Sequence, residues 1–269
     1  MNTQTRVVLL GTRGSVPVGG EAFCKYGGDS SCVLVQMGGE TILLDAGSGI
    51  LRAEPYLEAV TDLHILISHV HIDHILGLPF FMPLYNPLYS VGIYSPLRGG
   101  LPVREQIASF MAPPLWPTGI EVFSPGVHFV NTQEFPLFIG AVRVDAMEGN
   151  HPGGNTVYKL TLGQQSVVFC TDFEHSDWHT SRLTEFAADC SLLIYDAQYT
   201  PEEYDSKQGW GHSTWQHGVL AGRLCGAKRV VLTHHDPFRT DRELDEISEL
   251  FSKDFQNCSF GKGGEEFIL

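Results

Sequence analysis

Long apolar runs are missing from this sequence. The run near its start, Val7-Val8-Leu9-Leu10, is too short for a secretion signal or a membrane span, and nothing later approaches spanning length. The expectation is a cytoplasmic chain with no membrane partner. Internal repeats, low-complexity tracts and linkers are missing too, so residues 1–269 read as one domain. The six cysteines (24, 32, 170, 190, 225 and 258) are scattered, with no Cys-x-x-Cys pair, which excludes a zinc ribbon and suits reduced thiols. Basic residues are scarce: Lys and Arg number 17 against 31 Asp and Glu, a formal net charge of -14. A long polyanion such as tRNA needs a basic footprint, so no long nucleic acid is expected as partner. Small anions stay open as substrates, because bound cations dominate the field of a site whatever the overall charge.

What is present is enough apolar material for a core, 43% hydrophobic against 18% charged residues. Strands are expected at Arg6–Leu10, Cys32–Met37, Thr41–Asp45, Leu63–Ile67 and Val91–Tyr94, with Gly38-Gly39 as a hairpin turn. Further strands are expected at Ala141–Met147, Thr156–Leu162, Ser166–Cys170, Leu192–Tyr195 and Arg229–Leu232. Helices are expected after Ser48, from Asp73 to Leu78, and at Val103–Met111, Thr180–Ala187, Thr214–Leu224 and Thr240–Ser252. Residues 79–125, rich in proline and aromatics, read as a lid-like segment. Strands followed by helices in both halves predict an α+β fold, an αββα sandwich of two packed mixed sheets.

The chemistry concentrates in His69-Val70-His71-Ile72-Asp73-His74, where three imidazoles and one carboxylate follow an apolar strand. His69 and His71 project to one side of an extended strand end, while Asp73 and His74 come as the chain turns into a helix. Imidazole nitrogen and carboxylate oxygen are the usual ligands of hydrolytic zinc. Three more candidates stand directly after strands: His151 in a glycine-rich turn, Asp172 after Ser166–Cys170, and His234 after Val230-Val231-Leu232-Thr233. Any one alone would be an ordinary structural residue; together they repeat one design. His235 adjoins His234, and strand alternation lets only one face the site, with His234 favoured.

The His-x-His-x-Asp-His run, His151, Asp172 and His234 resemble the ligand series of the metallo-β-lactamase superfamily. Leu10-Gly11-Thr12-Arg13-Gly14-Ser15 and Gly211-His212-Ser213-Thr214 are similar to its ribonuclease Z and phosphodiesterase branch. The resemblance implies His69, His71 and His151 on a first ion, Asp73, His74 and His234 on a second, and Asp172 bridging them. It makes Asp45, in Leu43-Leu44-Asp45-Ala46-Gly47, a buried acceptor orienting a ligand histidine. His235 is then a supporting or substrate-facing group. Two divalent ions, zinc first and manganese or iron as substitutes, would bridge a hydroxide and activate it near neutral pH. Asp73 and His212 are the catalytic candidates, His212 as proton donor to the leaving oxygen with Ser213 capping the next helix.

Substrate-binding candidates are Arg13, as a bidentate phosphate partner or a plain turn residue, and the aromatics Trp116, Tyr199, Trp210 and Trp215, which either stack on a base or simply pack. Glu174, His175 and His179 read as rim residues. The branch's tRNA-gripping arm has no counterpart, because only the two strands Thr156–Leu162 and Ser166–Cys170 separate His151 from Asp172. The implied activity is hydrolysis of a small nucleotide-like phosphodiester, cyclic nucleotides included; relatives are often homodimers, and nothing in the sequence identifies an interface. An acyl hydrolase (lactonase or thioesterase) and a non-catalytic metal-bound nucleotide sensor are the alternatives. A redox di-iron role is disfavoured, since His71 stands where those relatives carry glutamate.

Overall fold

Along the first strand, β1 (Arg6–Gly11), Val7 and Leu9 point one way and Val8 and Leu10 the other, and all four are buried. A strand buried on both faces needs a layer on each side. The computed structural model, which describes residues 4–251 and 255–269, supplies both. β1 joins β2 (Cys32–Met37), β3 (Glu40–Leu44), β4 (Asp62–Leu66), β5 (Ser90–Ser95) and β6 (Val127–Asn131) in one sheet. The second sheet holds β7 (Leu137–Ile139), β8 (Val142–Glu148), β9 (Thr156–Leu162), β10 (Gln165–Cys170), β11 (Leu192–Asp196), β12 (Val230–Thr233) and β13 (Cys258–Phe260). The last strand, β14 (Glu266–Ile268), returns to pair antiparallel with β1, so each sheet has seven strands.

Val7, Leu9, Val35 and Leu44 of the first sheet meet Val144, Leu160, Phe169 and Ile194 of the second in a core between the sheets. The outer face of the first sheet, with Val8, Leu10, Leu34 and Ile65, is covered by short 3-10 turns and by α2 (Val103–Phe110). The outer face of the second is covered by α3 (Asp177–Phe186), α5 (Trp215–Cys225) and α6 (Asp241–Phe251). This is the expected αββα sandwich. Strands β3–β6 and β10–β13 run parallel, so their carboxyl ends gather loops at one edge, where open sheets usually bind ligands.

Several local expectations need correction. The helix after Ser48 is a 3-10 turn, Ser48–Arg52. α1 is only Ile72–Ile75. α3 starts at Asp177, because Ser176 accepts from the His179 N–H as its cap. α5 is capped by Thr214 rather than Ser213. The expected end of the final helix, Ser252, lies outside the described residues. Within residues 79–125, read as lid-like, Phe81, Leu84, Val91, Val103, Ile107 and Met111 are buried in the outer core of the first sheet. The strands β6, β7, β13 and β14 were not anticipated. Three of them have only three residues, and β6 is largely exposed. A four-residue helix, α4 (Pro201–Tyr204), is held by a Thr200–Glu203 capping box. Among the described residues, no helix is long and apolar enough to cross a membrane.

Candidate functional site

Several of the strands that end at this edge are followed by a polar residue turned inward. After β4 comes His69; His71 sets the N-terminus of α1, and Asp73 and His74 lie within it. The second sheet delivers His151 after β8, Asp172 after β10, Asp196 at the end of β11 and His234 after β12. Asp45, Asp172 and His234 all adopt left-handed backbone, with φ of 62°, 53° and 60°. Such conformations persist only where the surroundings over-determine them.

The ligating atoms of His69, His71 and His151 lie within 4.8 Å of one another, as do those of Asp73, His74, Asp172 and His234. Asp172 stands between the groups. Its Oδ1 is 3.8 Å from both His69 Nε2 and His151 Nε2, and its Oδ2 is 3.0 Å from His74 Nε2 and 3.2 Å from His234 Nε2. His151 Nε2 also lies 2.9 Å from His71 Nδ1, across the seam between the sheets.

In four of the inward histidines the Nδ1 is fixed by an acceptor, which determines where the lone pair of the neutral ring points. His74 Nδ1 donates to Asp45 Oδ2 at 2.6 Å, and His151 Nδ1 to the Gly211 carbonyl at 2.9 Å. His234 Nδ1 donates to Gln198 Oε1 at 3.1 Å. The Ser68 hydroxyl gives its proton to Asp45 and so accepts from His69 Nδ1 at 3.1 Å. In the neutral rings Nε2 of His69, His74, His151 and His234 therefore carries a lone pair into one space. Gly14 and Gly211 leave room behind two of these rings: a Cβ at either would lie within 2.3 Å of Nδ1 of His234 or His151.

These residues fit divalent cations. His69 Nε2, His74 Nε2 and Asp172 Oδ2 are buried without a hydrogen-bond partner, which is costly unless a Lewis acid takes the lone pairs. The electrostatics agree. Burial opposes charge on His74, yet Asp172, Asp73 and Asp45 raise its imidazole well above the usual range. His234 is likewise raised to about 9, as Asp172 and Asp73 outweigh burial. Asp73 stays ionised, because His74 and His234 overcome its burial. His69, by contrast, is lowered by burial and by His74. The pocket attracts positive charge.

His212 joins this edge. Its Nδ1 donates to Asp196 Oδ2 at 2.9 Å, its ring stacks on His234 at 5.0 Å, and its Nε2 has no protein partner among the described residues. Asp196, unanticipated from sequence, is wholly buried and accepts four bonds: from His212, and from the backbone N–H groups of Asp172, Ser213 and Gln198. Gln198 orients His234 and also donates to the Ser15 hydroxyl, while the Ser15 N–H donates to Asp73 Oδ2. A signal for Asp196 and Gln198 existed: Tyr195-Asp196-Ala197-Gln198 repeats the strand-then-polar design of the ligands.

The remaining candidates take different places. Arg13 does not face the site. It is fully buried, donates to the carbonyls of Gly27, Asp236 and Arg239, and lies over the Phe23 ring. His235 points away as well, donating to the Gly261 carbonyl between Tyr26 and Phe260. Trp116 packs on Phe80 and Phe110, and Trp215 on Phe251. Tyr199 is buried with its ring edge-on to His212 at 5.8 Å. Trp210 is exposed two residues from His212, with Lys207 Nζ 3.9 Å from its ring centre. Glu174, read as rim, is buried.

Comparison with known proteins agrees with this geometry. A ribonuclease Z of Haloarcula marismortui is 22% identical over 272 residues, covering 85% of each chain. The metallo-β-lactamase fold protein YhfI of Bacillus subtilis superposes with a TM-score of 0.78 over all of both chains at 19% identity. A diphosphatase of the PhnP family superposes at 0.71, covering 99% of this chain and 97% of its own, at 18% identity. The family described as beta-lactamase superfamily domain matches residues 40–235, and the chain belongs to it.

Proposed function

We propose that the chain is a metal-dependent phosphodiesterase that works with two divalent ions, zinc first, on a small nucleotide-like phosphodiester. The observation that carries this reading is the His212–Asp196 pair, which sets an imidazole with a free Nε2 beside the ligand edge. His69, His71 and His151 would hold one ion, and Asp73, His74 and His234 the other, with Asp172 shared. The chemistry such ions supply when bound is activation of water near neutral pH and polarisation of a phosphoryl oxygen.

The residues do the rest. Asp196 holds the His212 Nδ1 proton, so that Nε2 of the imidazolium is the atom that passes a proton to the leaving alkoxide and is left neutral. Asp73, anchored through Oδ2 by the Ser15 N–H, helps hold the attacking side of the site. Tyr199 walls the His212 ring, and Trp210 offers an exposed face for a base.

An RNA substrate is the second reading, favoured by the names of relatives such as the Haloarcula ribonuclease Z; the acidic net charge of -14 weighs against it. The test is turnover of bis(p-nitrophenyl) phosphate with and without zinc or manganese, beside His74→Ala, followed by cyclic-nucleotide and RNA panels. Metal-dependent turnover that is absent from His74→Ala is expected. Its absence from the metal-loaded parent would remove the phosphodiesterase reading.

A further inference from the structure

Glu174 carries a buried carboxylate whose partners all lie in the segment 204–211 that leads into His212. Its Oε1 accepts from the Tyr204 hydroxyl at 2.8 Å and from the Gly209 N–H at 2.7 Å, and its Oε2 accepts from the Gly211 N–H at 2.9 Å. Its backbone is tied to the loop of His151: Glu174 N–H donates to the Asn150 carbonyl, and Asn150 Nδ2 donates to the Glu174 carbonyl, both at 2.9 Å. No basic side chain pairs with Glu174 among the described residues. Backbone N–H groups and one phenol hold the carboxylate in place.

Gly211 is where these contacts meet. Its N–H is held by Glu174, its carbonyl accepts from His151 Nδ1 at 2.9 Å, and the next residue is His212. The peptide has little freedom, since Gly211 has a φ of +87° and a Cβ there would lie 2.1 Å from His151 Nδ1. A small rotation of this one peptide would move the carbonyl that orients a ligand imidazole and also the start of the His212 turn.

We propose that Glu174 is a positioning residue that fixes the Gly211 peptide, and through it both the metal-facing nitrogen of His151 and the placement of His212. The inference rests on the metal-site reading, though not on the choice of substrate. A glutamine cannot replace the carboxylate, because its single carbonyl oxygen cannot reach both the Gly209 and Gly211 donors and its amide nitrogen would face an N–H.

The experiment compares the full-length parent with Glu174→Gln, Glu174→Asp and Tyr204→Phe. Zinc affinity is read by competition with a chromophoric chelator, the visible spectrum is recorded after cobalt loading, and Tm is measured for each. Glu174→Gln is expected to lose about 10–100-fold in affinity for one zinc equivalent and to change the cobalt spectrum. Glu174→Asp, which keeps the charge but withdraws it from Gly211, should lose less. Tyr204→Phe removes a partner of Glu174 while leaving the Gly211 bond, and should keep parental affinity and spectrum even if its Tm falls. Parental zinc affinity and cobalt spectrum in Glu174→Gln would overturn the inference alone, whatever its Tm. Failure of the parent to take up metal would overturn the metal reading and this inference with it.

Discussion

His74 Nδ1 lies 2.6 Å from Asp45 Oδ2, with both side chains fully enclosed. Asp45 also accepts the Ser68 N–H and hydroxyl, so one carboxylate orients His74 directly and His69 through Ser68. Asp45→Asn is expected to lower zinc affinity about 10–100-fold, measured by dialysis against zinc buffers. Unchanged affinity would show that this carboxylate does not set the ligand geometry.

His212→Ala should cut turnover of bis(p-nitrophenyl) phosphate about 10²–10⁴-fold while leaving metal content at the parental level. Asp196→Asn should fall between the two, since it spoils the tautomer and weakens backbone anchors. Near-parental turnover in His212→Ala would show that this imidazole does not supply the leaving group's proton.

Chelation should destabilise the protein, because it returns His69 Nε2, His74 Nε2 and Asp172 Oδ2 to burial without partners. An ion present at about a hundred times its Kd contributes about 2.7 kcal/mol, so treatment with EDTA should lower Tm by about 5–10 °C. Identical melting curves with and without chelator would argue against ions bound at these residues.

Arg13→Met should cost about 3–5 kcal/mol of folding stability, read as a shift in the urea midpoint. It leaves three backbone carbonyls and Asp241, 3.9 Å away, facing a buried thioether chain. A raised KM with an unchanged midpoint would instead return Arg13 to substrate binding.

His235 gives a pH dependence. Burial pushes it down to about 3 in the folded chain, whereas an unfolded chain protonates histidine near about 6.5. The unfolded state takes up the proton first, so stability from this group is complete above 6.5 and is lost as pH falls toward 3. Between pH 7 and 5 the loss is about 2 kcal/mol. Urea midpoints of His235→Gln should fall less steeply over that range, and parallel curves would place the effect elsewhere.

The sandwich and the candidate ligands were legible because strand ends advertise themselves: an apolar run stops and a histidine or aspartate follows. The same cue was available for Asp196 and Gln198 but was masked by the absence of histidine. Arg13 and His235 misled for a physical reason. Both lie just past strand ends, where His234 already has a φ of 60° and β1 carries a register shift between Leu9 and Gly11. Period-two reasoning no longer says which way a side chain points there. Glu174 was opaque because its partners are a phenol and two backbone N–H groups of a segment 30 to 37 positions away.

The division of the ligands between two sheets sets an order of events during synthesis. His69, His71, Asp73 and His74 emerge first, but His71 finds its neighbour 80 positions later in His151, and Asp73 finds His234 after 161. Contacts of such span come late, after the local hairpins and helices. Until then the histidine-rich run is an incomplete chelator at the tip of a half-built protein. An ion held by these residues would be captured only after that stage, and a loaded site would then report that the two sheets have docked in register.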